Sequence, residues 1–177
     1  MGIEIERKFL VDDATALWLI GFSCKKEIIK QGYITDMLNE TQVRVRTTVS
    51  YQPENECLGF VTIKSGNCEM VRKEYEFDIP YNQANFMMQD LCSDRLIHKN
   101  RYHISKNEML INLPFTLDVF KDRHEGLLMV EVEYDDILQS TNDKPSWVLK
   151  EVTNDLRYYN VNLARNSVPI NVERSDE

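Results

Sequence analysis

The sequence predicts an α+β fold that is mainly antiparallel β, and three observations carry this expectation. Short runs with period-two alternation recur at 3–11, 29–35, 41–48, 59–64, 71–79, 96–104, 109–113, 115–121 and 127–134. Most of these runs put charge on one face and apolar side chains on the other, as antiparallel sheets do. Segments 82–92 and 154–165 carry apolar residues at helical spacing, so helices flank the sheet. No internal repeat, low-complexity tract or Pro/Gly-rich linker divides the chain. It reads as one domain over 1–167 with a polar tail at 168–177.

The first strand splits cleanly. Glu4, Glu6 and Lys8 share one face, and Ile3, Ile5 and Phe9 share the other, with Arg7 the only charged intruder. A short helix follows at 13–20, with Leu17, Trp18 and Ile20 expected on its buried side. The parity returns in Arg44 and Arg46 against Val43 and Val45, in Lys64 against Val61 and Ile63, and in Arg72, Glu74 and Glu76 against Tyr75 and Phe77. The helix at 82–92 starts at Asn82, a suitable N-cap, and spaces Phe86, Met87 and Leu91 for burial. Lys99 and Arg101 alternate on the next strand. Asp118 lies between Leu117 and Val119, and Glu131 and Glu133 lie opposite Val130, Val132 and Tyr134.

Composition bounds the function. With 42% apolar and 28% charged residues over 177 positions, the chain is an ordinary globular one. It has no apolar run of bilayer-spanning length and no signal-like start, so the expected location is cytoplasmic, without a membrane partner. Cys24, Cys57, Cys68 and Cys92 are scattered singly, which suits structural thiols, and His98, His103 and His124 form no zinc motif. A net charge of -8 argues against nucleic acid, so any polyanion must find a local basic pocket.

The charged faces together hold seven acids (Glu4, Glu6, Glu74, Glu76, Asp118, Glu131, Glu133) and seven bases (Lys8, Arg44, Arg46, Lys64, Arg72, Lys99, Arg101), a formal sum of zero. One arrangement is a sheet with its charged face in water, where cross-strand pairs contribute roughly 0.2–1 kcal/mol each. The other is a closed barrel whose charged face lines a tunnel, and there the charges need partners or a bound ion and ligand. Alternation alone is compatible with both. Carboxylates at alternate positions suit Mg²⁺ or Mn²⁺, and a set of Arg and Lys suits phosphate oxygens, so a metal-bound polyphosphate satisfies both charge types.

These residues resemble the triphosphate tunnel metalloenzymes, the CYTH superfamily. The hallmark Glu-x-Glu-x-Lys appears as Glu4-Ile5-Glu6-Arg7-Lys8, in the form typical of short bacterial members. The similarity continues through Lys30-Gln31-Gly32-Tyr33, Val43-Arg44-Val45-Arg46, Thr62-Ile63-Lys64-Ser65, Arg72-Lys73-Glu74-Tyr75-Glu76, Lys99-Asn100-Arg101-Tyr102, Leu117-Asp118-Val119-Phe120 and Val130-Glu131-Val132-Glu133. Two departures stand out. The family pattern has a second acid at Lys150 and a basic residue near Leu156.

The resemblance implies an eight-stranded, closed antiparallel tunnel barrel with two divalent ions, Mg²⁺ or Mn²⁺. It implies Glu4, Glu6, Glu131 and Glu133 as metal ligands, with Asp118 and Glu74 as further candidates. Arg44, Arg46, Lys64, Arg72, Lys99 and Arg101 become phosphate-holding groups. Lys8 and Tyr33 become the pair that assists the attacking water. Lys8 is able to act as a base only if neighbouring cations depress its pKa; otherwise it binds phosphate or orients water. The implied activity is hydrolysis of tripolyphosphate to pyrophosphate and orthophosphate. Alternatives are a class IV adenylate cyclase, a thiamine or nucleoside triphosphatase, and a non-catalytic polyphosphate or nucleotide binder. A homodimer is compatible with the sequence.

Overall fold

The structure, a computed structural model, describes residues 5–34, 41–51, 55–65, 73–92, 94–106, 113–134 and 144–165. Its elements are β1 (Ile5–Leu10), α1 (Asp13–Ile20), β2 (Ser23–Tyr33), β3 (Thr41–Ser50), β4 (Glu56–Ser65), β5 (Lys73–Ile79), α2 (Tyr81–Leu91), β6 (Leu96–Ile104), β7 (Phe115–Phe120), β8 (Leu128–Tyr134), β9 (Lys150–Glu151) and α3 (Asn160–Arg165). Short 3-10 turns lie at Asp122–His124 and Leu156–Tyr158. The run at 109–112 and the tail at 168–177 fall outside the described residues. No described helix is long and apolar enough to cross a membrane.

The strands form one antiparallel nine-stranded sheet in the order β5-β4-β3-β2-β6-β7-β8-β1-β9. The expected closed eight-stranded barrel is therefore corrected: among the described residues the hydrogen-bonded sheet stays open, with β5 and β9 at its edges. The outer edge of β1, which closure requires, is taken by β9. Phe9 pairs with Glu151 and Leu10 with Lys150, while Val152 N–H donates to the Lys8 carbonyl at 2.8 Å. Outside the sheet, Arg7 grips Glu151 through Nε at 2.9 Å and Nη2 at 2.7 Å. The sheet nevertheless curls on itself, since residues of terminal β5 and of β1 and β8 line one cavity.

Three apolar clusters fix this curl. Phe9, Leu117, Val130 and Val132 on the convex face pack under Ala16 and Leu19 of α1. Ala84, Met88 and Cys92 cover Val45 on the same convex side. The third cluster is on the concave face. Leu10, Tyr33, Ile97, Phe120 and Met129 share the parity of the charged residues and pack with Val161, Leu163 and Ala164, so α3 and these side chains make an apolar floor. Its end is held from outside the helix, because Arg123 Nη2 donates to the Ala164 carbonyl and His124 Nε2 lies 2.7 Å from the Leu163 carbonyl.

Several helical expectations are corrected. In α1 the buried residues are Ala16 and Leu19, whereas Leu17 is 74% exposed and Trp18 43%. Apolar side chains surround this short helix, so pattern alone does not select its face. The N-cap of α2 is Pro80, not Asn82, and Phe86 and Leu91 are exposed while Ala84 and Met88 are buried. Ala84 is chosen by space: a Cβ on Gly59 would lie 3.0 Å from its Cβ. The segment expected as one helix at 154–165 is broken at Tyr159, whose backbone is extended.

Candidate active site

The alternation read from sequence becomes a real wall. Glu6, Lys8, Ile29, Gln31, Arg44, Arg46, Lys64, Glu74, Glu76, Lys99, Arg101, Glu131, Glu133 and Asn160 line a cavity of about 230 Å³. The structure thus brings together Glu6, Glu74, Glu131 and Glu133, and Lys8, Arg44, Arg46, Lys64, Lys99 and Arg101, from six strands. Asp118 sits behind this lining, fully buried, and Tyr33 lies at the apolar floor. Glu4 and Arg72 fall outside the described residues.

One half of the wall is a buried ion network. Lys8 Nζ lies 2.7 Å from Glu131 Oε1 and 2.6 Å from Glu6 Oε1. Arg101 donates to Asp118 through Nε and Nη2, both at 2.7 Å, and also to Glu131. Lys99 Nζ donates to Asp118 Oδ2 at 2.5 Å. Register explains the contacts, because Lys8 faces Glu131 across β1 and β8, and Arg101 faces Asp118 across β6 and β7. Burial alone lowers the Lys8 pKa, but the charges of Glu131 and Glu6 outweigh it and hold the ammonium above the usual lysine value. Burial and the charge of Arg101 push Lys99 the other way, below it. Glu131 stays well below the carboxylate range because Lys8, Arg101 and Lys99 overcome its desolvation.

The other half is looser and better suited to an incoming anion. Arg44 and Arg46 share Glu76 at 3.3 and 3.1 Å, and Lys64 meets Glu74 at 2.9 Å. Thr62 Oγ1 supports this group by donating to Glu76 at 2.8 Å. The Nε atoms of both Arg44 and Arg46 are buried without a hydrogen-bond partner. A buried unsatisfied donor costs about 1–3 kcal/mol, and a phosphate oxygen would remove that cost. Burial, then the charge of Arg44, lowers the Arg46 pKa, which records the crowding of cations before any ligand arrives.

The acids give a mixed answer for a metal. No group of three His, Cys, Asp or Glu side chains is gathered as an ion site among the described residues. Yet Glu6 and Glu133 stand directly opposite on neighbouring strands, facing the cavity, where like charges repel. Glu6, Glu131 and Glu133 line the same cavity, and carboxylates are the hard oxygen donors that a Mg²⁺- or Mn²⁺-class ion takes, though they are not gathered around one point.

Comparison with known proteins then bears on the geometry. No family model matches the chain. It is 34% identical over 166 residues to an inorganic triphosphatase of Acetivibrio thermocellus, covering 94% of this chain and 96% of that one. The chain belongs to the inorganic triphosphatase family. A second member, from Nitrosomonas europaea, is 34% identical over 163 residues, with 91% and 96% covered. The crystal structure of the inorganic triphosphatase NE1496 superposes with a TM-score of 0.63 at 31% identity, covering 94% of this chain and 97% of that one.

Sequence reasoning counted Glu76 on the charged face without giving it a role, and did not assign Gln31, Ile29 or Asn160 to the site of this triphosphatase-family chain. Glu76 shares the parity of Glu74, and Gln31 that of Tyr33, so both had a usable signal. Gln31 Nε2 donates to Tyr33 Oη at 2.9 Å, and burial pushes the Tyr33 pKa up to about 12. Asn160 had none, since it reaches the cavity from α3, and its Oδ1 is buried without a partner.

Proposed function

We propose that this chain hydrolyses inorganic tripolyphosphate to pyrophosphate and orthophosphate in the cavity, aided by one or two divalent ions. The observation that carries the reading is the set of bases Arg44, Arg46, Lys64, Lys99 and Arg101 lining one cavity together with the carboxylates Glu6, Glu131 and Glu133. A binder of simple anions has no use for the acids. The names of the family members support the same substrate. We take the curled sheet to work as a tunnel, with residues of terminal β5 lining the same cavity as those of β1 and β8.

Arg44, Arg46 and Lys64 would hold one part of the phosphate chain, with Lys99 and Arg101 on the opposite wall. Their fixed donors spread charge that builds on the leaving pyrophosphate, without reorganisation at the moment of reaction. Glu6, Glu131 and Glu133, with Glu4, would hold the divalent ion, and Glu74 and Asp118 tune the bases beside them. When bound, the ion neutralises phosphate oxygens and makes a nearby water more acidic. Water oxygen bonds to the terminal phosphorus, the bridging P–O bond breaks, and the released proton stays on orthophosphate. Lys8 acts as an ammonium donor that orients this water or phosphate, held in place by Glu131 at 2.7 Å and Glu6 at 2.6 Å. Tyr33, whose hydroxyl burial keeps protonated, accepts from Gln31 and so positions its amide.

The test is phosphate release from tripolyphosphate, ATP and thiamine triphosphate with Mg²⁺ or Mn²⁺, comparing wild type with Arg46→Met. Tripolyphosphate should be the best substrate, with its turnover lost in the variant. Cyclic AMP formed from ATP without orthophosphate would replace this reading with a cyclase.

A further inference from the structure

A rung of charge continues past the cavity on the side away from the apolar floor. Along β2, Lys25 and Glu27 share the parity of Ile29 and Gln31, which line the cavity, and along β6 His103 shares that of Lys99 and Arg101. Register sets Glu27 opposite Arg101 and Lys25 opposite His103. Within this rung Lys25 Nζ lies 2.8 Å from Glu27 Oε1, and His103 Nε2 lies 2.7 Å from Glu27 Oε2. Gln31, Ile29 and Glu27 thus form a single file leading from the floor outward.

Glu27 stands just beyond the lining residues, one step past Ile29 on the same face of β2. The cavity's neighbouring groups, Arg46, Lys99 and Arg101, are donors suited to phosphate oxygens. At the next step the Lys25 and His103 contacts are taken up by a carboxylate, an acceptor without protons to give. Glu27 is held anionic down to about pH 2: burial opposes this, but His103 and Lys25 overcome it. Its charge also reaches inward far enough to act on Arg46. A phosphoryl group arriving here would meet Glu27 with Lys25 already paired to it, whereas deeper in the cavity two guanidinium groups, Arg44 and Arg46, share the one carboxylate of Glu76.

We propose that Glu27, positioned by Lys25 and His103, is a chain-length stop that admits a three-phosphate chain and disfavours a fourth phosphate at the outer end of the cavity. This rests on the tripolyphosphatase reading above and adds a specificity-determining residue to it. Glu27→Gln keeps the shape of the side chain but frees Lys25 and His103 to face the substrate.

The experiment compares kcat/KM for tetrapolyphosphate and tripolyphosphate at matched free Mg²⁺, in wild type, Glu27→Gln and Lys25→Ala. The ratio of tetra- to tripolyphosphate should rise about tenfold in Glu27→Gln, the size expected for one partly screened charge contact. It should fall in Lys25→Ala, where the carboxylate loses a counter-charge. If Glu27→Gln fails to fold, Lys25→Ala carries the test alone. Hydrolysis of tripolyphosphate with an unchanged ratio in the folded variants overturns the stop and leaves the triphosphatase reading intact. No hydrolysis of either substrate by wild type overturns both.

Discussion

Replacing Asp118 by Asn removes the buried counter-charge on which two cavity bases depend. Asp118 is 0% exposed and Lys99 2%, and the carboxylate accepts from Lys99 at 2.5 Å and from Arg101 twice at 2.7 Å. Removing one partner of such a pair costs about 3–5 kcal/mol, because the remaining charge stays buried. For a chain of this size that loss is roughly 6–20 °C in Tm. The pH dependence follows from Lys99, whose pKa in the fold is already lowered, first by burial and then by Arg101. Without Asp118 it falls further, and a lysine with a depressed folded pKa favours the fold most above its unfolded value of about 10.4. The gap between wild type and Asp118→Asn should therefore be widest near neutrality and shrink as pH rises toward 10, leaving the part due to Arg101. Thermal melts followed by circular dichroism at both pH values measure it. A loss below about 1 kcal/mol at pH 7 would refute the view that Asp118 neutralises the buried bases.

Other consequences are equally specific. Lys8→Met should lower kcat for tripolyphosphate about 100-fold, the usual effect of removing one charge-stabilising donor, as steady-state phosphate release would show. Glu27 has a folded pKa lowered from 4.5 to about 2, so its contribution to stability is complete above pH 4.5 and is lost as pH falls toward 2. Urea melts of wild type and Glu27→Gln should accordingly converge across that window. Gly59→Ala should destabilise by about 1–3 kcal/mol, because its Cβ would stand 2.8 Å from the Ile79 carbonyl and 3.1 Å from that of Pro80, at the start of α2; a chemical melt would read this.

Much of the site was legible because strand parity is local. Once Arg44 and Arg46, or Glu131 and Glu133, alternate with valines, the pleat puts each pair on one face, and the structure keeps them there. Closure was not legible, because it depends on which edges meet. Two residues of β9, Lys150 and Glu151, occupy the edge of β1, and so short a strand has no periodicity to read. The same family resemblance that suggested a closed barrel marked a departure at Lys150, within this strand. β2 was read too short, starting at Ile29 rather than Ser23, because the three consecutive charges Lys25, Lys26 and Glu27 show no apolar–polar alternation. Asn160 was invisible for a related reason: a polar residue on a short C-terminal helix gains meaning only when that helix packs under the cavity.

The most direct test of the central claim is ³¹P NMR of tripolyphosphate incubated with the protein and Mg²⁺, before and after chelation by EDTA. Pyrophosphate and orthophosphate appearing in equal amounts, and stopping when the metal is removed, is the predicted result. A folded protein that binds tripolyphosphate and leaves its spectrum unchanged over hours would contradict it and make this cavity a binding site alone.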